Sequence, residues 1–349
     1  MNVDLLKKLV ETPGVSGRED RVRKLVLEEL KPMVDSINTD VLGNVIGVKK
    51  GRDAKAKIRK KIMVAAHIDE IGFYVTFIDE KGFLRFHPAG GFDLRALKAQ
   101  RVVVHGRKDV IGVIGSKPIH ILTEEEKKKP PELKDYFIDL GMKKEQVDEI
   151  VKLGDPVTME RSMAEMGDCL TAKAFDDRIG VFVMVEALRK VKFSPADLYI
   201  VGTTQEEVGL RGAFAAASGV NPEVGIALDG TLANDFPGVE PQDEVSTLGS
   251  GAAISFMNGA AISNPKLFDR FVELAEKHKI KYQKDLLPRG GTDAGALQRV
   301  SGGAAVITLS VPTRYMHTTV ETLHKDDVQA AIDLLTTYLE DPGDMDYRL

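Results

Sequence analysis

Hydrophobic residues fall into two rhythms along this chain, and the change of rhythm marks its organisation. Ile62-Met63-Val64-Ala65-Ala66 is an unbroken apolar run that stops at His67-Ile68-Asp69-Glu70. A strand buried on both faces reads this way. From residue 165 onward, strand-length runs alternate with stretches of helical period. The pattern predicts helices over 177–190, 209–218, 265–278, 293–299 and 325–340, and strands over 198–203, 224–228, 252–256 and 304–309. Upstream of 62, a helix over 2–12 is broken by Pro13-Gly14-Val15-Ser16-Gly17. Ser16 and Glu19 have the spacing of a capping box, which places the start of a second helix there, with Val22, Leu25, Val26 and Leu30 on its apolar face. An extended pair follows, 35–41 and 45–49, turning at Leu42-Gly43-Asn44.

Between 70 and 164 the pattern differs. Short strand-like runs at 72–78, 101–105, 110–114, 136–139 and 156–160 are separated by glycine-containing turns, with one helix near 143–153. Residues 123–131 are polar, end in two prolines and read as an exposed loop. The predicted fold is α/β, an open mixed sheet with helices on both faces, interrupted by a small β-rich, barrel-like insert. The sheet domain comprises 1–69 and 165–349 and the insert 70–164.

Composition narrows the function. A net charge of −5 argues against nucleic acid or an anionic membrane as partner. The run 49–61 carries eight basic side chains, but it has no aromatic residue for base stacking and no glycine-rich cradle, so it reads as a solvated loop. Cys169 is the one cysteine, which excludes an intrachain disulfide, fits a reducing compartment and reads as a small buried hydrophobe. Residues 1–12 are amphipathic, with Asp4, Lys7, Lys8 and Glu11, unlike a signal peptide. The longest apolar stretch, 179–185, is far short of the roughly 20 residues of a membrane span. A soluble, cytoplasmic protein is expected.

The chemistry gathers at strand ends, where open α/β sheets bind ligands. His67 and Asp69 follow the strand at 62–66, Glu206 and Glu207 follow 198–203, and Asp229 ends 224–228. His317 follows 304–309 through a loop, and Asp176 precedes the helix at 177. Polar residues at one strand end are ordinary; at four, they call for a common cause, and a metal site supplies it. Two histidines, two aspartates and one glutamate suit a pair of divalent ions, and one further carboxylate serves as proton acceptor. Asp69, two residues from His67 on the same side of the strand, is placed to hold the other imidazole nitrogen.

His67-Ile68-Asp69-Glu70-Ile71-Gly72, Ala174-Phe175-Asp176-Asp177-Arg178, Gln205-Glu206-Glu207-Val208-Gly209-Leu210-Arg211-Gly212, Ala227-Leu228-Asp229 and Arg314-Tyr315-Met316-His317 resemble the tetrahedral (TET) aminopeptidases, also described as deblocking or glutamyl aminopeptidases. The resemblance extends over the whole chain, including Pro13–Gly17 and Gly290-Gly291-Thr292-Asp293-Ala294-Gly295. It implies removal of N-terminal residues from peptides with a free N-terminus and two divalent ions per subunit, zinc or cobalt. Asp176 would bridge them, His67 and Asp229 would complete one site, and Glu207 and His317 the other. It further implies Glu206 as general base, Asp69 as the group orienting His67, and dimers assembled into a tetrahedral dodecamer through the insert. The preferred N-terminal residue and the physiological metal stay open. A deacylase or carboxypeptidase can use the same cluster. A glycosidase using Glu206 and Glu207 would leave both histidines idle, and a structural metal scaffold would need no free base.

Overall fold

The computed structural model describes residues 1–52, 59–300 and 302–349, so the middle of the basic run 49–61 lies outside the described residues. In chain order the helices are α1 (Val3–Glu11), α2 (Asp20–Leu30), α3 (Glu124–Lys128), α4 (Lys144–Ile150), α5 (Phe175–Lys190), α6 (Arg211–Val220), α7 (Pro265–His278), α8 (Ala294–Leu297) and α9 (Lys325–Glu340). The first strands are β1 (Ser36–Thr39), β2 (Val45–Lys49) and β3 (Lys61–His67). Next come β4 (Gly72–Ile78), β5 (Leu84–Ala89), β6 (Arg101–His105), β7 (Asp109–Ser116), β8 (Tyr136–Asp139) and β9 (Pro156–Met159). Then follow β10 (Ala164–Met166), β11 (Cys169–Ala172), β12 (Asp197–Thr203), β13 (Val224–Leu232), β14 (Ala252–Asn258), β15 (Tyr282–Leu287), β16 (Ala305–Arg314) and β17 (Glu321–His324).

Two sheets organise these elements. Strands β4-β5-β8-β7-β6-β9 close into a barrel with its own core of Phe73, Val102, Ile114, Ile138 and Val157. The other sheet is 11-stranded and mixed, ordered β1-β2-β12-β3-β13-β16-β17-β11-β10, with β14 on β16 and β15 on β14. The apolar run of β3 is central, and successive residues face opposite ways. Ile62, Val64 and Ala66 pack with α1, α2, α5, α7 and α9. Met63 and Ala65 pack with α6 and α8. Helices on both faces and a mixed sheet are the predicted α/β architecture.

Register aligns the strand ends. Thr203 of β12 pairs with His67 of β3, and Ala65 of β3 pairs with Ala227 of β13. Two residues beyond that last pair lie His67 and Asp229, whose ligand atoms come within 4.8 Å of each other.

Several elements differ from the sequence reading. β13 runs past Asp229 because its ladder with β16 continues to Leu232↔Thr313, so Asp229 lies within a strand. β16 reaches Arg314, leaving His317 just beyond its end. Residues 124–128 form α3, since Thr123 and Glu126 complete a capping box. The box expected at Ser16 and Glu19 is not formed; α2 begins at Asp20 with no side-chain cap. β5, β10, β11, β15 and β17 were not foreseen. Cys169, on β11, is a free thiol and only half-buried.

Charge fixes the chain's start to the sheet. Glu70 Oε2 accepts from Lys173 Nζ at 2.6 Å, and Glu70 Oε1 accepts from the Gly14 amide at 3.0 Å. Arg178, wholly buried, donates from Nη1 to the carbonyls of Leu9 (2.5 Å) and Thr12 (2.8 Å) and sits 3.6 Å from Glu70. Removing one partner of such a buried cluster leaves uncompensated charge, which costs about 3–5 kcal/mol. Glu70→Ala is therefore expected to lower unfolding free energy by about that amount in denaturant titration. A loss under about 1 kcal/mol, the size of an exposed pair, would contradict this account.

Candidate metal centre

Asp176 lies between two imidazoles. Its Oδ1 is 3.0 Å from His67 Nε2, and its Oδ2 is 3.2 Å from His317 Nε2. Two ligand groups result and share this carboxylate. His67, Asp176 and Asp229 offer atoms within 4.8 Å of one another, as do Asp176, Glu207 and His317. Glu207 Oε2 is 3.6 Å from His317 Nε2, and Glu206 Oε2 is 3.8 Å from His67 Nε2. All seven residues picked from the sequence meet in one place: His67, Asp69, Asp176, Glu206, Glu207, Asp229 and His317.

Surrounding contacts aim these side chains. His67 Nδ1 donates to the main-chain oxygen of Asp69 at 3.1 Å, which fixes the ring with Nε2 directed at Asp176. The Asp69 carboxylate, expected to be that acceptor, is farther, at 3.5 Å, because it accepts from the Glu206 and Glu207 amides. His317 Nδ1 donates to the Gly91 carbonyl at 2.8 Å, so the barrel also orients this ligand. Gly90 beside it has φ +94°, and a Cβ there would come within 2.5 Å of Ile71. Glu321 accepts from the Asp176 amide (3.0 Å) and the His317 amide (2.8 Å) and so holds both. Asp177, wholly buried, accepts from the His67 and Gly180 amides.

The electrostatics fit a cationic occupant. Burial pushes Glu206 and Asp229 well above the usual carboxylate range, with neighbouring carboxylates adding to it. Burial and the Asp176 charge raise Glu207 to about 8. Burial would lower both imidazoles, but hydrogen bonds to Asp176 and nearby carboxylates outweigh it, raising His317 to about 10 and His67 well above its ordinary value. Asp176 moves the opposite way: burial alone would raise it, and the two imidazoles pull it down. Without cations, then, the acids of this cluster compete for protons. Glu207 Oε1 is buried and has no hydrogen-bond partner. Imidazole, carboxylate and one orphaned oxygen form a donor set suited to divalent metal ions.

Residues 43–334 match the M42 glutamyl aminopeptidase family. The chain belongs to that family. It is 37% identical to the lysyl aminopeptidase of Pyrococcus furiosus over 99% of its own length and 98% of the relative's. Among solved structures, an aminopeptidase of the archaeon Desulfurococcus kamchatkensis superposes with TM-score 0.92 at 42% identity, covering 97% of this chain and 94% of that one. The TET1 peptidase of Pyrococcus horikoshii, described as able to assemble into a tetrahedron or a large octahedral shell, superposes with TM-score 0.85 at 32% identity over 97% and 99% of the two chains. The predicted TET resemblance and this M42 membership agree, and metal-dependent aminopeptidase activity comes with the family.

Sequence reasoning missed three contributors to the M42 site: Glu321, Asp177 in its backbone role, and Gly91. Glu321 carried a faint signal, a lone acid in the otherwise uncharged stretch Thr318–Leu323. Partners of metal ligands are worth 10- to 100-fold in affinity. Glu321→Ala is expected to weaken metal binding by about that factor in chelator competition, with the fold retained. Unchanged affinity would show that the two amides need no shared acceptor.

Proposed function

We propose that this chain removes the N-terminal residue from short peptides, with two divalent ions, zinc or cobalt, and Glu206 as general base. The observation that carries the reading is Asp176, with one oxygen toward each imidazole. In this reading Asp176 would be shared by the two ions, with His67 and Asp229 holding one and Glu207 and His317 the other. Asp69 orients His67. A pair of divalent ions, when bound, polarises the scissile carbonyl and brings the pKa of water toward neutrality.

The chain supplies the proton traffic. Glu206 is nearly buried and stands 3.8 Å from His67, outside both ligand groups, which leaves its carboxylate free to act as base. It takes a proton from the attacking water as oxygen bonds to the carbonyl carbon. It returns that proton to the amide nitrogen as the C–N bond breaks. The products are a free amino acid and a peptide one residue shorter.

The insert, residues 70–164, serves self-association into dimers and a tetrahedral dodecamer. Its support is the assembly described for the Pyrococcus horikoshii peptidase. Cytoplasmic residence fits the single, unpaired cysteine. Among the described residues, no helix is long and apolar enough to cross a membrane.

Chelator-treated protein supplied with zinc or cobalt is expected to release the first residue of free-ended peptides and to leave their N-acetylated forms intact. Release of acetate or of the C-terminal residue would keep the metal centre and replace the function. Glu206→Gln is expected to lower turnover about 10²–10⁴-fold with metal content near wild type. Near-normal turnover of that variant would overturn the assignment of the base.

A further inference from the structure

Ser16 and Glu19 have the spacing of a helix cap, yet neither side chain caps α2. Both are buried, and both point across the fold toward the site. Ser16 Oγ donates to Asp69 Oδ2 at 2.6 Å. Glu19 Oε1 accepts from the Gly17 amide at 2.6 Å and from the Gln205 amide at 3.3 Å. The Asp69 carboxylate in turn accepts from the Glu206 amide on Oδ1 (3.0 Å) and the Glu207 amide on Oδ2 (3.2 Å). Three successive amides, Gln205 to Glu207, are thus held by two carboxylates. One of these belongs to the N-terminal turn, and the other is anchored by that turn's serine.

The segment needs such a hold. Gln205 adopts a left-handed backbone, φ 55°, which an unbranched non-glycine residue takes up only when its surroundings over-determine it. The N-terminal turn is itself fixed. Tyr74 Oη of the barrel donates to the Ser16 carbonyl at 2.6 Å, and the Glu70 amide donates to the Gly14 carbonyl at 2.9 Å.

We infer that the N-terminal turn is a positioning device for catalysis: Ser16 and Glu19 set the Gln205–Glu207 segment and so place the carboxylate of Glu206. The inference rests on Glu206 being the proton acceptor. Misplacing a reacting group by about an ångström costs on the order of 10²-fold, so loss of one of several holds is expected to cost about 10- to 100-fold.

The test uses full-length, metal-loaded Ser16→Ala, with Glu19→Ala as a second variant that keeps the proposal testable should the first fail to fold. Expected are kcat lower by about 10- to 100-fold, KM within about threefold, and metal content at the wild-type level. Hydrogen exchange at the Gln205–Glu207 amides is expected to quicken. In a Glu206→Gln background the same substitution is expected to have little further effect on kcat, since both act through one carboxylate. Unchanged kcat and unchanged exchange would overturn the inference. So would a fall in kcat that tracks metal loss, or one that persists at full size in the Glu206→Gln background. Turnover of Glu206→Gln alone reads the base assignment, and exchange at the three amides reads the hold, so the two failures are distinguishable.

Discussion

The shared carboxylate of Asp176 is the contact on which the rest of the centre depends. It is buried and faces the Nε2 atoms of His67 and His317 with one oxygen each. A carboxylate so placed cannot be solvated, and its charge must be met by those imidazoles or by cations between them. The neighbouring acids crowd the same volume, and burial drives Glu207, Glu206 and Asp229 upward. Cations remove that competition at once. The fold's remaining devices keep Asp176 and its partners in place: the Glu321 hold on two amides, the neighbouring strands β3 and β13 that carry His67 and Asp229, and the Gly91 carbonyl behind His317.

These devices come from distant parts of the chain. The neighbouring strands β3 and β13 supply His67 and Asp229. The turn after β12 supplies the two glutamates, and the barrel reaches back through Gly91 to aim His317. The N-terminal turn is tied in twice, by the buried Glu70–Lys173–Arg178 charges and by Ser16 on Asp69. The insert and the N-terminus therefore bear on the geometry of the ligands without contributing any.

Much of this was legible in the sequence because it rests on local pattern. The apolar run of β3 announced a strand buried on both faces, and α7 and α9 begin and end where their apolar period does. Most of the site's acids and histidines announced themselves by position after strands, and Asp176 by its place before a helix. Features governed by distant partners were not legible. Ser16 and Glu19 matched a capping box, but their side chains are drawn to Asp69 and to the Gln205 amide. Asp229 read as a strand end, whereas pairing with β16 carries that strand four residues beyond the 228 predicted. β17 and its Glu321 are short and polar, and take their order from strands β16 and β11. In the polar stretch 123–131, two prolines masked a local capping box at Thr123.

The central claim is that Asp176 is shared by two metal ions. Its most direct test is metal stoichiometry, by titrating chelator-stripped protein and Asp176→Asn with cobalt while following bound metal per chain. The account predicts two ions per wild-type chain and loss of both, or a steep fall in affinity for both, in Asp176→Asn. One ion per wild-type chain, or a variant that loses one ion and keeps the other at full affinity, would contradict it.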